Sequence, residues 1–233
     1  MVNYMKKSLL IISKSRYFKL IFLCLLPLSL LALGTIDKKN NVILGIGNSF
    51  GYYLFLIFLE LLFISNIIYL NRQLFNNSTY IIRFKSRREA LDNSRYLGMI
   101  INTLLFIIIG ILVTIIVFLR VNDKSVGSWT EVLILEVFII RSLILLLLIS
   151  DLVNYLYLFR SKKLIYGYIF LIVWLFFFHD DISLKALDVF YYLEHYRLFD
   201  SLFLNIIYSL GIISVSYTIN MIVRSISLRG SEE

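Results

Sequence analysis

The residues of this chain best suited to metal chemistry are His179, Asp180 and Asp181, followed by Glu194 and His195. Imidazole and carboxylate ligands suit zinc. Neither histidine takes part in the His-Glu-x-x-His spacing that sets two imidazoles on one helix face, so no metal site is predicted. A second candidate is Gly45–Gly51, which reads Gly-Ile-Gly-Asn-Ser-Phe-Gly. A phosphate loop needs a lysine and a hydroxyl after its glycines, to reach the phosphates and magnesium. Both are missing, and the segment is expected to be a flexible outer loop entering a membrane span. Cys24 is the only cysteine, so no internal disulfide is possible. A catalytic thiol needs a base at hydrogen-bond reach, and both histidines are expected outside the membrane. No Gly-x-Ser-x-Gly elbow and no paired intramembrane glutamates occur. The chain is therefore not expected to be an enzyme, and no catalytic residue and no cofactor are predicted in it.

Three charges fall inside long apolar runs: Glu60, Glu136 and Arg141. A charge near the centre of a bilayer costs several kcal/mol unless it pairs or meets water, so all three are expected to point inward. Glu136 and Arg141 are separated by about 140° around a helix and do not share a face. The preferred arrangement is an ion pair between Glu60 and Arg141, with local snorkelling of each as the bland alternative. The functional version of such residues is a polar lining for a translocation path.

The runs that carry these charges dominate the chain. Of 233 residues, 60% are hydrophobic and 16% charged, with a mean hydropathy of +0.85. A soluble domain averages about half apolar and about a quarter charged, so the excess points to an integral membrane protein. Six runs are long enough to span: Leu20–Ile36, Phe50–Leu70, Leu97–Leu119, Val132–Ser150, Leu164–Phe178 and Leu202–Val223. They are continuously apolar rather than alternating, which predicts helices and not the strands of a barrel. The first run is long enough to be retained as a span rather than removed as a signal. Pro27 inside it predicts a kink. The fold class expected is all-α: one polytopic membrane domain over residues 1–233 with six transmembrane helices.

Charge orients this domain. With the N-terminus inside, the inner segments hold 16 Lys and Arg and the outer ones 6. That asymmetry predicts cytoplasmic termini. It also accounts for the net charge of +8 without a nucleic-acid partner. Lys6–Leu20 alternates basic and apolar residues at near-helical spacing and reads as an interfacial amphipathic helix. His179–Asp200 places Ile182, Leu187, Phe190 and Leu193 at helical spacing among acids, which predicts short outer helices before the last span.

The stretch Tyr80–Arg95 is the densest in cations between two spans. Tyr80, Ile81, Ile82 and Phe84 interleave with Arg83 and Lys85. Ser86-Arg87-Arg88-Glu89 then fits a capping box, in which the Ser86 hydroxyl and the Glu89 carboxylate each bond the other's backbone N–H. A helix is expected to start there and run into the third span. Orientation alone needs only a few cations in a short loop. A long, capped, partly apolar loop predicts a folded cytoplasmic element; the bland alternative is an anchor for anionic lipid headgroups.

Six helices, cytoplasmic termini, a basic N-terminal helix, a structured second-to-third loop and a helical outer segment together resemble the permease subunit of an ABC-2-type (type V) ABC transporter. The pattern Tyr80–Phe106 resembles small permeases of bacterial peptide, bacteriocin and lantibiotic export or immunity systems. The resemblance implies a multi-pass protein of the bacterial cytoplasmic membrane. It implies separate ABC ATPase subunits that bind ATP and magnesium, and a second permease chain, identical or different. It places ATPase coupling on a helix carried by Tyr80, Arg83, Phe84, Lys85, Ser86, Arg87, Arg88 and Glu89. The substrate it implies is amphipathic: a toxin-like peptide or a lipid-like molecule. The alternative is a non-transporting immunity or sensor protein that binds a peptide or a partner protein.

Overall fold

A computed structural model describes residues 27–34, 36–38, 41–51, 53–75, 87–125, 128–158 and 166–170, and positions 203, 206–207, 210–211, 213–214, 217–222 and 225. All regular structure among the described residues is helical. Four helices have defined bounds: α1 (Val42–Gly51), α2 (Tyr53–Phe75), α3 (Arg87–Arg120) and α4 (Trp129–Leu158). Residues 27–34 and 166–170 are also helical. Three helices, α2, α3 and α4, are long and apolar enough to cross a membrane, which makes this a membrane-embedded protein. In hydrocarbon each backbone N–H and C=O must find its partner within the segment, and the helix is the solution for runs this apolar. The second, third and fourth predicted spans fall on these three helices. The Lys6–Leu20 helix and the His179–Asp200 helices lie outside the described residues.

The ends of the helices follow local chemistry. Asn41 caps α1, its side-chain oxygen accepting from Leu44 N at 2.8 Å. Ser128 and Glu131 form a capping box at the start of α4. The Ser128 N–H donates to the Glu131 carboxylate at 2.9 Å, and the Glu131 N–H donates to the Ser128 hydroxyl at 3.3 Å. At the far end of α3, the Lys124 ammonium donates to the carbonyls of Phe118 and, at 2.7 Å, Val121. Those carbonyls have no partner within the helix, and a cation suits the negative end of its dipole. Two connections meet here: Val42 N donates to Ser125 O and Asn122 N to Lys38 O.

One expectation is overturned in this region. Gly45–Gly51 is not a flexible loop but most of helix α1. Ile43, Ile46 and Phe50 are buried in the main core. A side chain at Gly45 would come within 2.7 Å of Val117, so the absence of a Cβ lets α1 lie directly on α3. Phe50 packs edge-on to Phe55 at 5.3 Å and against Phe106 at 5.7 Å. The contacts then step in one direction. Gly45 meets Val117, Phe50 meets Phe106, Asn66 meets Asn102 and Asn71 meets Ser94. Thus α1 and α2 together run antiparallel along most of α3.

The helix α3 is 34 residues long, about 50 Å at 1.5 Å per residue. It exceeds the roughly 30 Å of a hydrocarbon core, so its charged first turns extend past the apolar stretch. One face is buried through Leu97, Leu105, Ile109, Val113 and Val117, while Leu104, Ile107, Ile111 and Ile115 are exposed. In a membrane-embedded helix those exposed apolar residues are the ones suited to hydrocarbon.

Candidate functional site

The Arg87 ends of α2, α3 and α4 place five polar side chains together. Asn71 comes from α2, Ser94 and Arg95 from α3, and Asp151 and Asn154 from α4. The Ser94 hydroxyl donates to the Asn71 side-chain oxygen at 2.7 Å. The Asn71 amide donates to Asn154 at 2.8 Å, and the Asn154 amide to Asp151 at 3.2 Å. The other Asp151 oxygen accepts from Arg95 Nε at 2.7 Å, in an ion pair. Because Ser94 and Arg95 are neighbours, the chain of bonds closes into a ring across three helices. Asp151 is 1% exposed and Arg95 17%. The aspartate is therefore held out of solvent while its counter-charge keeps an edge to it.

Local spacing explains the placement. Asp151 and Asn154 are three apart and share a helix face, so one carboxylate can meet both an amide and a cation. Ser94 and Arg95 lie about 100° apart on α3 and reach two different neighbours. Gly98, one turn on, would bring a Cβ to 3.4 Å from Ile67, so α2 and α3 approach closely beside the ring. Deeper in the apolar layer, Asn66 donates to Asn102 at 3.0 Å and Asn102 to the Phe63 carbonyl at 3.4 Å. Tyr168 and Asn220 also donate to the α4 carbonyls of Ile149 and Leu148, at 2.8 and 2.9 Å. These bonds tether positions 168 and 220 to α4.

The intramembrane charges do not behave as the sequence predicts. Glu60 and Arg141 are both buried as expected. No ion pair joins them: among the described residues, neither Glu60 carboxylate oxygen has a hydrogen-bond partner. The Arg141 guanidinium instead lies over the Phe138 ring at 4.9 Å, a cation–π contact. Glu136 does not point inward. It is exposed, about two turns into α4 and rotated away from Arg141. Near a helix end a carboxylate avoids the cost of full burial by reaching the headgroup layer.

Of the predicted coupling residues, Tyr80, Arg83, Phe84, Lys85 and Ser86 lie outside the described residues. Arg87, Arg88 and Glu89 form the first turn of α3. Glu89 is exposed there, at the positive end of the helix dipole. The described helix runs from Arg87 without a break to Arg120, and the cap read at Ser86 lies outside the described residues. His179 and its acidic neighbours also lie outside the described residues.

Sequence reasoning missed the ring for one reason. Asn71, Asp151 and Asn154 lie just beyond the apolar runs and read as inner connecting segments, while Ser94 and Arg95 read as part of the helix entering the third span, so their meeting is not foreseen. A usable signal existed: Asp-x-x-Asn at 151–154 and Ser-Arg at 94–95 sit one turn outside spans that helices regularly overrun. No known protein family, characterised protein or solved structure matches the chain.

Proposed function

We propose that this chain is the permease subunit of a bacterial ABC-2-type exporter, powered by a separate ATPase. The observation that carries the reading is helix α3. It starts at Arg87, inside the cation-rich stretch, and continues as one helix to the other end of the apolar bundle. Motion imposed at Arg87 and Arg88 would reach the membrane core without crossing a flexible joint. The chain's own chemistry agrees, since it holds no phosphate loop and would depend on a partner for nucleotide hydrolysis. In this reading six helices cross the cytoplasmic membrane, with both termini inside, and two permease chains enclose the path. The tethered positions 168 and 220 belong to the fifth and sixth spans. The substrate class is amphipathic, a toxin-like peptide or a lipid-like molecule, suited to a pathway lined by apolar helices.

Purification of the tagged full chain from its native membranes in mild detergent tests the reading. A copurifying ATPase with a Walker A sequence is expected. Reversing the charges at Arg83, Arg87 and Arg88 should release it while the chain stays in the membrane. Recovery of the intact chain with a bound peptide and no ATPase would favour the sensor or immunity reading instead.

A further inference from the structure

We infer that the polar ring of Asn71, Ser94, Arg95, Asp151 and Asn154 is a latch that holds the Arg87 end of α3 closed against α2 and α4, and that it opens about a pivot at the Asn66–Asn102 bond. Three features of the ring carry this. First, it joins three helices with directional bonds at a place where apolar packing already holds them: Leu70 and Leu97 are buried beside it. A buried ion pair adds little net stability over apolar side chains of similar size, so stability does not explain the ring. Second, it sits at the polar ends of the three candidate spans, beyond their continuously apolar runs, where water can reach the groups once they separate. Arg95 already keeps an exposed edge. Opened there, each group exchanges a protein hydrogen bond for a water one. Third, the Asn66–Asn102 bond lies about 11 Å further along α3, within the apolar layer. Breaking it would strand two amides in hydrocarbon. A helix bonded reversibly at one level and held at the next rotates about the second.

The lengths make α3 a lever. Arg87 lies about 12 Å from Arg95 on one side, and Asn102 about 11 Å from it on the other. A push at the first turn of α3 therefore acts first on the ring. The lever role rests on the exporter reading, whereas the opening of the ring does not, so the chain alone can be tested.

The test labels single cysteines with a charged maleimide in lipid nanodiscs, which expose both membrane faces. In a Cys24→Ala background, Leu97→Cys reports beside the ring and Ile109→Cys reports beyond the pivot; both positions are buried. Arg95→Gln or Asp151→Asn should raise the labelling rate at position 97 by about tenfold, the factor for easing a local opening by one charge-assisted bond. The rate at 109 should stay the same, because displacement there, inside the apolar layer, opens no path for water or a charged reagent. Ser94→Ala, which opens the ring on its uncharged side, should give the same pattern in kind. Exchanging the charges, Arg95→Asp with Asp151→Arg, should restore protection at 97. Parallel rises at 97 and 109 would make the ring ordinary structural glue and overturn the latch. No rise at 97, or no restoration by the exchange, would overturn it as well. Failure of the ATPase to copurify leaves this result untouched, so the two readings fall separately.

Discussion

At the scale of single residues, the least comfortable group is Glu60. Its carboxylate is fully buried and without a hydrogen-bond partner among the described residues. Replacing a buried polar group by an apolar one of similar volume removes a desolvation cost. Glu60→Met is therefore expected to stabilise the bundle by about 1–3 kcal/mol, read as a higher midpoint in detergent unfolding. A lower midpoint would mean that Glu60 has a partner after all. Asp123 is the opposite case, an exposed carboxylate at the end of α3. The Ser125 N–H and then its hydroxyl donate to it, and these bonds hold its pKa below the ordinary carboxylate value. Stabilisation of this kind is present above the ordinary value and is lost as pH falls through the depressed one. Ser125→Ala should move the NMR titration of Asp123 upward, toward a free carboxylate. An unmoved midpoint would rule the hydroxyl out as a contributor.

At the scale of elements, the helix ends and the close approaches decide most. Two Ser-x-x-Glu patterns occur, at Ser86–Glu89 and Ser128–Glu131, and the second forms reciprocal bonds. Ser128→Ala should cost about 1 kcal/mol of stability, the usual worth of a cap, as measured by unfolding in detergent. An unchanged midpoint would show that the first turn of α4 is held by other contacts. The approach of α1 to α3 is a sharper constraint. Gly45→Ala puts a methyl 2.7 Å from Val117. It should destabilise by about 1–3 kcal/mol, and adding Val117→Ala should return most of the loss. Gly34 has nothing within 4 Å of such a methyl, so Gly34→Ala is the control without a clash. Equal losses at both glycines would place the effect in the backbone rather than in the contact.

At the scale of the whole molecule, the middle of the bundle is mainly apolar with Glu60, Arg141 and the Asn66–Asn102 pair buried in it, and the Arg87 end carries the connected polar ring. Connections 36–38 and 121–125 hydrogen-bond at the Arg120 end, while the five-residue ring closes the other. In the latch proposal, the Arg120 end stays assembled while the Arg87 end opens. Fusing a reporter after position 125 and another after position 75 should show opposite sides of the membrane, since α3 passes once between them. Equal signals would overturn α3 as a spanning helix. In the exporter reading, the position 75 reporter gives the cytoplasmic signal.

Much of this protein is legible in its sequence. Composition alone makes it a membrane protein, because the cost of placing so much apolar surface in water is additive and independent of partners. The spans around Glu60, Phe106 and Leu146 are read correctly for the same reason. A helix through Arg87 into the third span follows from local capping and periodicity. What tertiary structure decides is which residue meets which. Each residue turns a helix by about 100°, so the partner of a side chain depends on the rotation and register of two helices at once. Hydropathy carries neither. That is why Glu60 and Arg141, both buried as expected, do not pair. It is also why Gly45–Gly51, polar enough to read as loop, becomes a buried helix once Val117 lies against it. And it is why Asn71, Ser94, Arg95, Asp151 and Asn154, five unremarkable residues at the ends of oily runs, become a ring only when three helices are set side by side.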